Sequence, residues 1–207
     1  MHMNALRSPT ALVIASANRH KAREIKDLLK SALSFDLFTL LDFPLYTPLE
    51  EEGSTFKENA TVKALHAAKE LGLYALADDS GLVVPALRGK PGLFSARYAG
   101  AHATDLENRQ KLLRDMQDLS GEERFAYYEC SMVLASPEKV EASVKGVCEG
   151  ALLEQERGSW GFGYDSLFLK HDYGKTFAEL PESTKSCISH RGKAFAKMLP
   201  HLLRVFA

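Results

Sequence analysis

Four clusters of residues capable of chemistry stand between the apolar stretches of this sequence. The first is Ser16-Ala17-Asn18-Arg19-His20-Lys21. Where a strand hands over to a helix, such a segment offers backbone N–H groups, the positive end of a helix dipole and a lysine to one anion, with phosphate the natural candidate. The same residue types also serve as a helix cap and solvated charge, so the segment alone leaves both readings open. The second cluster is Glu50-Glu51-Glu52-Gly53. By themselves three adjacent carboxylates read as a solvated acidic turn that favours a helix start; one of them turned inward is a hard oxygen ligand for Mg²⁺.

The third cluster, Ala77-Asp78-Asp79-Ser80-Gly81, follows an apolar run. Successive strand residues face opposite ways, so both aspartates reach one pocket only if the chain turns there, which Gly81 makes easy. These residue types also build plain hairpin turns. A carboxylate at a strand end is nevertheless where open α/β sheets bind ligands, and that reading is preferred. The fourth cluster runs through 158–191. Trp160-Gly161-Phe162-Gly163-Tyr164-Asp165 sets large aromatics between glycines, and Lys185 and Ser189-His190-Arg191-Gly192 follow. An aromatic on such a loop can stack on a base. Taken singly, Phe162 and Tyr164 read equally as core plugs, and His190-Arg191 as a helix cap. Together the four clusters suggest a phosphate grip, metal carboxylates and a base platform, which is a nucleotide site without a specified reaction.

The elements that must position these residues can be read from hydrophobic period and caps. Residues 10–15 read as a buried strand. The helix over 21–33 carries Ile25, Leu28, Leu29 and Leu33 on one face, and 35–41 reads as a second strand. Thr55-Phe56-Lys57-Glu58 has capping-box spacing, and Gly72 stands where a left-handed residue ends a helix. A strand over 73–77 then leads through the Asp-Asp turn to a further strand at 82–84. A second box, Thr104-Asp105-Leu106-Glu107, opens a helix bearing Leu106, Leu113 and Met116. Residues 124–135 and 139–149 read as an antiparallel hairpin joined at Ser136-Pro137-Glu138. A last amphipathic helix covers 190–206, where Pro200 is expected to bend or break it. Helices alternating with strands, followed by a hairpin, predict an α/β fold with a mixed sheet.

Composition narrows the function. The 207 residues carry 26 Lys and Arg against 27 Asp and Glu, a formal net charge of −1, which argues against broad electrostatic binding to nucleic acid or anionic membrane. A 45% apolar and 26% charged chain is ordinary for a globular protein rather than a disordered one. No apolar run reaches the roughly 18 to 20 residues that span a bilayer, and residues 1–10 lack the apolar stretch of a secretory signal. Three cysteines, Cys130, Cys148 and Cys187, are odd in number and widely spaced, which fits a reduced cytoplasmic protein without a disulfide framework or zinc cage.

Seven anchors in order make the chain resemble a known family. They are Ser16-x-Asn18-x-x-Lys21, Gly53-x-Thr55-Phe56-x-Glu58-Asn59-Ala60, Ala77-Asp78-Asp79-Ser80-Gly81-Leu82, Pro91-Gly92-x-x-Ser95-Ala96-Arg97-Tyr98-Ala99-Gly100, Gly161-Phe162-Gly163-Tyr164-Asp165, Lys175-Thr176-Phe177-Ala178-Glu179-Leu180 and Ser189-His190-Arg191-Gly192. The chain resembles the inosine triphosphate pyrophosphatases, also called dITP/XTP pyrophosphatases, over about 12–203. The resemblance implies an elongated mixed β-sheet with helices forming two lobes around a central cleft, in one domain over 1–207 and as a homodimer. It implies Mg²⁺-dependent hydrolysis of purine nucleoside triphosphates with an altered base (ITP, dITP, XTP) to the monophosphate and pyrophosphate, cleansing the nucleotide pool, with no nucleic-acid or membrane partner.

Carried over by position, Ser16, Ala17, Asn18, Arg19, His20 and Lys21 hold the phosphates with help from Lys63. Asp79 is the general base and a metal ligand; Glu51 is the other, with Glu50 its rival. Ser80 touches substrate, and Phe162, Gly163, Tyr164, Asp165, Lys185, His190 and Arg191 surround base and sugar. Three departures stand out: Ala17 replaces the family's usual glycine, Trp160 stands where glycine is common, and Ser166 replaces a usual proline, which is expected to loosen its loop. The alternatives are a septum-formation-inhibitor-type nucleotide pyrophosphatase, which the Phe162-to-Asp165 and Ser189-to-Arg191 anchors speak against, and a nucleotide-binding regulator that does not hydrolyse.

Overall fold

Strand β1 (Ala11–Ile14) is buried at every residue, which only a strand covered on both faces allows. The computed structural model describes residues 11–30 and 35–206; Thr10, expected to begin β1, and Leu33, expected on the first helix, lie outside them. Helix α1 (Arg19–Lys30) buries Ala22, Ile25 and Leu29, one face of a 3.6-residue period. After β2 (Asp36–Thr39) comes α2 (Phe56–Leu71), capped by Thr55, whose Oγ accepts the Glu58 N–H at 3.1 Å. The Glu58 carboxylate reaches back further than expected and takes the N–H and hydroxyl of Ser54, both at 2.8 Å. Gly72 ends α2 at φ 67°.

Strand β3 (Tyr74–Val83) corrects the sequence reading. It is one ten-residue strand running straight through Asp78-Asp79-Ser80-Gly81 where a turn between two strands was expected. Helix α3 (Asp105–Asp115) starts with the foreseen Thr104–Glu107 box, whose Thr104 N–H and hydroxyl hold Glu107 below the usual glutamate value. Its buried apolar residues are Leu112 and, at the cap, Met116, while Leu106 is 50% exposed. Strands β4 (Phe125–Ala135) and β5 (Val140–Leu152) form the expected hairpin, closed by the Ser136 N–H on the Lys139 carbonyl at 2.9 Å. The short β6 (Phe168–Lys170) and β7 (Lys175–Thr176) follow, then α4 (Glu182–Ile188), which was not foreseen, and α5 (His190–Phe206). Pro200 lies inside α5 without ending it. Met198 and Leu202 on either side of it pack into the same core, which offsets the lost backbone bond.

The strands hydrogen-bond in the order β2-β1-β3-β4-β5-β6-β7. β1 is parallel to β2 and β3, while β5–β6 and β6–β7 are antiparallel, so the predicted mixed α/β sheet is borne out. The chain forms two compact units, one from 1–79, 130–146 and 194–207, the other from 80–129 and 147–193.

In the first unit the two-residue period of the strands sorts side chains into two cores. Leu12, Ile14, Leu76, Cys130, Met132 and Leu134 meet α1 and α5; Val13, Ala75, Ala77, Val133 and Ala135 meet the alanine stripe Ala60, Ala64, Ala67 and Ala68 of α2. The second unit has its own core of Leu82, Leu112, Met116, Tyr128, Leu167, Phe168 and Phe177, among others. Among the described residues no helix is long and apolar enough to cross a membrane.

Arg124, 7% exposed, ties that second core together. Its guanidinium donates to four backbone carbonyls: Leu152 at 2.7 Å, Leu153 at 2.8 Å, Met116 at 3.1 Å and Leu119 at 3.2 Å. Arg124→Ala leaves these acceptors without their donor, and we expect a loss of about 3 kcal/mol, read as a lower midpoint in urea denaturation.

Candidate active site

Strand alternation explains the first unit's polar cluster. In β3, Leu76 belongs to the α1/α5 core and Ala77 to the α2 core. Asp78 and Asp79 continue the pattern on opposite faces, so the chain delivers two carboxylates to two different helices rather than to one pocket. Asp78 is fully buried, with Lys21 of α1 4.0 Å away and the Cys130 thiol at 3.9 Å. Asp79 is 5% exposed and faces α2, where Lys63 donates to its Oδ1 at 3.2 Å and Asn59 to its Oδ2 at 3.1 Å.

Lys63 also donates to Glu51 Oε1 at 2.9 Å, so one ammonium bridges Glu51 and Asp79. Glu50, by contrast, is exposed. Asn59 and Lys63 stand one turn apart on α2, and the Asn59 Oδ1 accepts the Gly53 N–H at 2.8 Å. One amide thus ties the acidic turn to Asp79. Asn59 stood in a family anchor without a role; its four-residue spacing from Lys63 is the signal that could have assigned one.

Electrostatics set these groups apart. Burial pushes Asp79 above the usual aspartate value against the pull of Lys63 and Lys21, while the Glu51 charge adds to the push. Burial pulls Lys63 down, but the charges of Asp79, Asp78 and Glu51 outweigh it and hold Lys63 above the ordinary lysine value. The result is a firmly cationic lysine beside a carboxylate with raised proton affinity. Glu51 and Asp79, both hard oxygen donors, converge on the Lys63 ammonium. No group of three His, Cys, Asp or Glu residues forms a metal cage among the described residues. Two carboxylates suffice for an ion that completes its shell with water and phosphate oxygens.

In the loop before α1, Asn18 Oδ1 accepts the N–H groups of His20 at 3.0 Å and Lys21 at 3.1 Å. Two amides expected to face an anion are therefore taken by a cap. Ser16 and Asn18 are half-buried, while Ala17, Arg19 and His20 are exposed. Arg88 is the non-glycine residue with positive φ among those described, so Ala17 meets no left-handed requirement in place of the family's glycine.

The second unit holds the remaining expected residues. Ser80 Oγ accepts from Arg191 Nη2 at 2.8 Å, with Arg191 2% exposed. His190 stacks on Tyr128, centroids 4.6 Å apart and 10° from parallel. Lys185 on α4 donates to Asp165 Oδ2 at 2.6 Å and lies 5.0 Å from the centre of the Phe162 ring. The same carboxylate oxygen accepts the Phe162 N–H at 3.0 Å. Gly161, at φ 81°, must be glycine: a Cβ there would overlap the Asp165 carboxylate.

Tyr164 is 3% exposed and sits in the core, where burial drives its hydroxyl far above the usual tyrosine value and the hydroxyl donates to the Ser95 carbonyl at 2.8 Å. Trp160 is 75% exposed. Ser166, expected to loosen its loop, instead donates its hydroxyl to Glu156 at 2.8 Å. Phe162, Gly163, Asp165, Trp160 and Arg109 help line a cavity of about 180 Å³. A larger one, about 460 Å³, lies in the first unit beside Tyr46 and His66 and holds none of the expected residues.

The model of the Ham1 family matches residues 12–201, and the chain belongs to that family. It is similar to a dITP/XTP pyrophosphatase of Protochlamydia amoebophila, 53% identical over 188 residues that cover 90% of this chain and 94% of the relative. A dITP/XTP pyrophosphatase of Chlamydia abortus is 53% identical over 192 residues, covering 92% and 93%. Among solved structures, a HAM1 protein from Coxiella burnetii superposes with a TM-score of 0.84 at 41% identity, covering 94% of this chain and 98% of its own.

Asn59→Leu keeps the side chain's size and removes both of its hydrogen bonds. We expect a loss of about 2 kcal/mol in urea denaturation, because the Gly53 N–H and Asp79 each lose a partner; an unchanged midpoint would show that the amide does not tie the turn to β3.

Proposed function

We propose that the chain is a nucleoside triphosphate pyrophosphatase acting on purine nucleotides with an altered base: inosine, deoxyinosine and xanthosine triphosphates. Water cleaves the anhydride between the α- and β-phosphates, giving the monophosphate and pyrophosphate. The observation that carries this reading is Lys63 bridging Asp79 and Glu51, with the Asp79 proton affinity raised by burial. The relatives named dITP/XTP pyrophosphatase support it.

The roles follow from the chemistry of each group. Phosphoryl transfer needs positioning and charge neutralisation more than covalent help. Lys21 and Lys63 supply fixed positive charge for the polyphosphate, with Ser16, Ala17, Asn18, Arg19 and His20 forming the rest of that wall. Glu51 and Asp79 would hold Mg²⁺, which when bound supplies charge neutralisation. Asp79 takes the proton of the attacking water, a task suited to a carboxylate with raised proton affinity. In the second unit Phe162 stacks on the purine, Gly163, Asp165, Lys185, His190 and Arg191 surround base and sugar, and Ser80 touches substrate. Tyr164 serves this wall from the core by anchoring the loop. The whole chain acts as one catalytic domain, in the cytoplasm and as a homodimer, without nucleic-acid or membrane partners.

Selectivity follows from hydrogen-bond matching. Inosine and xanthine present a 6-oxo acceptor where adenine presents a 6-amino donor; guanine shares the 6-oxo group, so it is rejected at its 2-position. A site that donates there leaves its donor facing another donor when ATP enters, a mismatch worth roughly 10⁴–10⁵-fold in sites of this kind.

The test is Mg²⁺-dependent pyrophosphate release over a panel of triphosphates. ITP and XTP should exceed ATP and GTP in kcat/KM by orders of magnitude, and Asp79→Asn in the same assay should lose orders of magnitude in kcat with a modest change in KM. Equal kcat/KM for all four nucleotides would contradict the reading.

A further inference from the structure

Gly163 is gripped at both of its backbone polar atoms by one face of α3. Its N–H donates to Asp105 Oδ2 at 2.7 Å, and its carbonyl accepts from Arg109 Nη1 at 2.9 Å. Asp105 and Arg109 stand four residues apart, one turn of the helix. The start of α3 is already capped by Thr104 and Glu107, so the Asp105 carboxylate is directed instead at a loop 58 residues further along the chain. Arg109 is held in turn: its Nε lies 2.9 Å from Glu156 Oε2, and the Ser166 hydroxyl donates to that same oxygen at 2.8 Å. Ser166, a departure from the family pattern, thereby joins a polar chain that ends on the Gly163 carbonyl.

Gly163, at φ 60°, sits between Phe162 and Tyr164. The Phe162 N–H is bonded to Asp165, and the Tyr164 hydroxyl to the Ser95 carbonyl. The grip from α3 restrains the two peptides that flank Gly163, the first of which follows Phe162. Both contacts involve a charged partner, the stronger kind of hydrogen bond. An aromatic on a backbone ordered in advance loses less freedom when a ring stacks against it.

We propose that Asp105 and Arg109 are positioning residues for base recognition, clamping the Gly163 backbone so that Phe162 is presented to the purine. This rests on the reading of Phe162 as the base platform. The clamp acts on binding of the base and leaves the Asp79 chemistry to the first unit.

The experiment is steady-state ITP hydrolysis with Arg109→Ala, Asp105→Ala and Asp105→Asn, each checked for an intact thermal transition. The expected result is a KM about tenfold higher for both alanine variants with kcat within about threefold, the loss of one charge-assisted bond. Asp105→Asn keeps an acceptor for the Gly163 N–H and should recover most of the wild-type KM, which a merely structural role would not require. Should Arg109→Ala fail to fold, the Asp105 pair decides. Unchanged KM in the alanine variants, or a fall in kcat with KM unchanged, would overturn the clamp while leaving the function in place. A wild-type chain that does not hydrolyse ITP removes the functional reading, and the clamp with it.

Discussion

Two adjacent carboxylates buried in the middle of a strand are the constraint on which this molecule turns. A strand sends neighbouring side chains to opposite faces, so Asp78 and Asp79 cannot share a counter-ion at close range. Each needs a cation from the helix covering its own face: Lys21 of α1 for Asp78 and Lys63 of α2 for Asp79. A buried carboxylate without a partner would take up a proton rather than stay charged. Placing α1 and α2 on opposite faces of β3 is therefore a requirement of the chemistry as much as of packing. The alanine stripe of α2 and the Ile25–Leu29 face of α1 are the apolar surfaces that hold those lysines in place.

The second unit orders its polar groups differently. There several charges are spent on backbone. Arg124 holds four carbonyls, Asp105 and Arg109 hold the N–H and carbonyl of Gly163, and Asp165 holds the Phe162 N–H while receiving Lys185. A loop rich in glycine would otherwise carry many conformations. These contacts restrain it.

Much of this was legible in the residues themselves. The caps at Thr55, Gly72 and Thr104, the hairpin at 136–139 and the last helix all carry local signals that tertiary packing did not override. The Asp-Asp segment misled because Asp, Ser and Gly favour turns in isolation, whereas here β3 runs on through it as a strand between β1 and β4, with a lysine facing each carboxylate. Leu106, named with Leu113 and Met116 on α3, is half exposed. Tyr164 looked like part of the nucleotide wall, but its ring is in the core and only its hydroxyl serves the loop. The Asp105–Arg109 grip could not be read at all, since nothing in a sequence ties an i, i+4 pair on one helix to a glycine more than fifty residues away. That Glu51, rather than Glu50, meets Lys63 likewise needed the position of that lysine.

The account stands on Asp79 being a buried carboxylate whose proton affinity is set by its surroundings and which a divalent cation shares. A pH titration of the Asp79 side-chain carboxyl by ¹³C NMR, with and without Mg²⁺, measures this directly. The account predicts a midpoint above the ordinary aspartate value that falls when Mg²⁺ is added. An ordinary midpoint that Mg²⁺ leaves in place would contradict it.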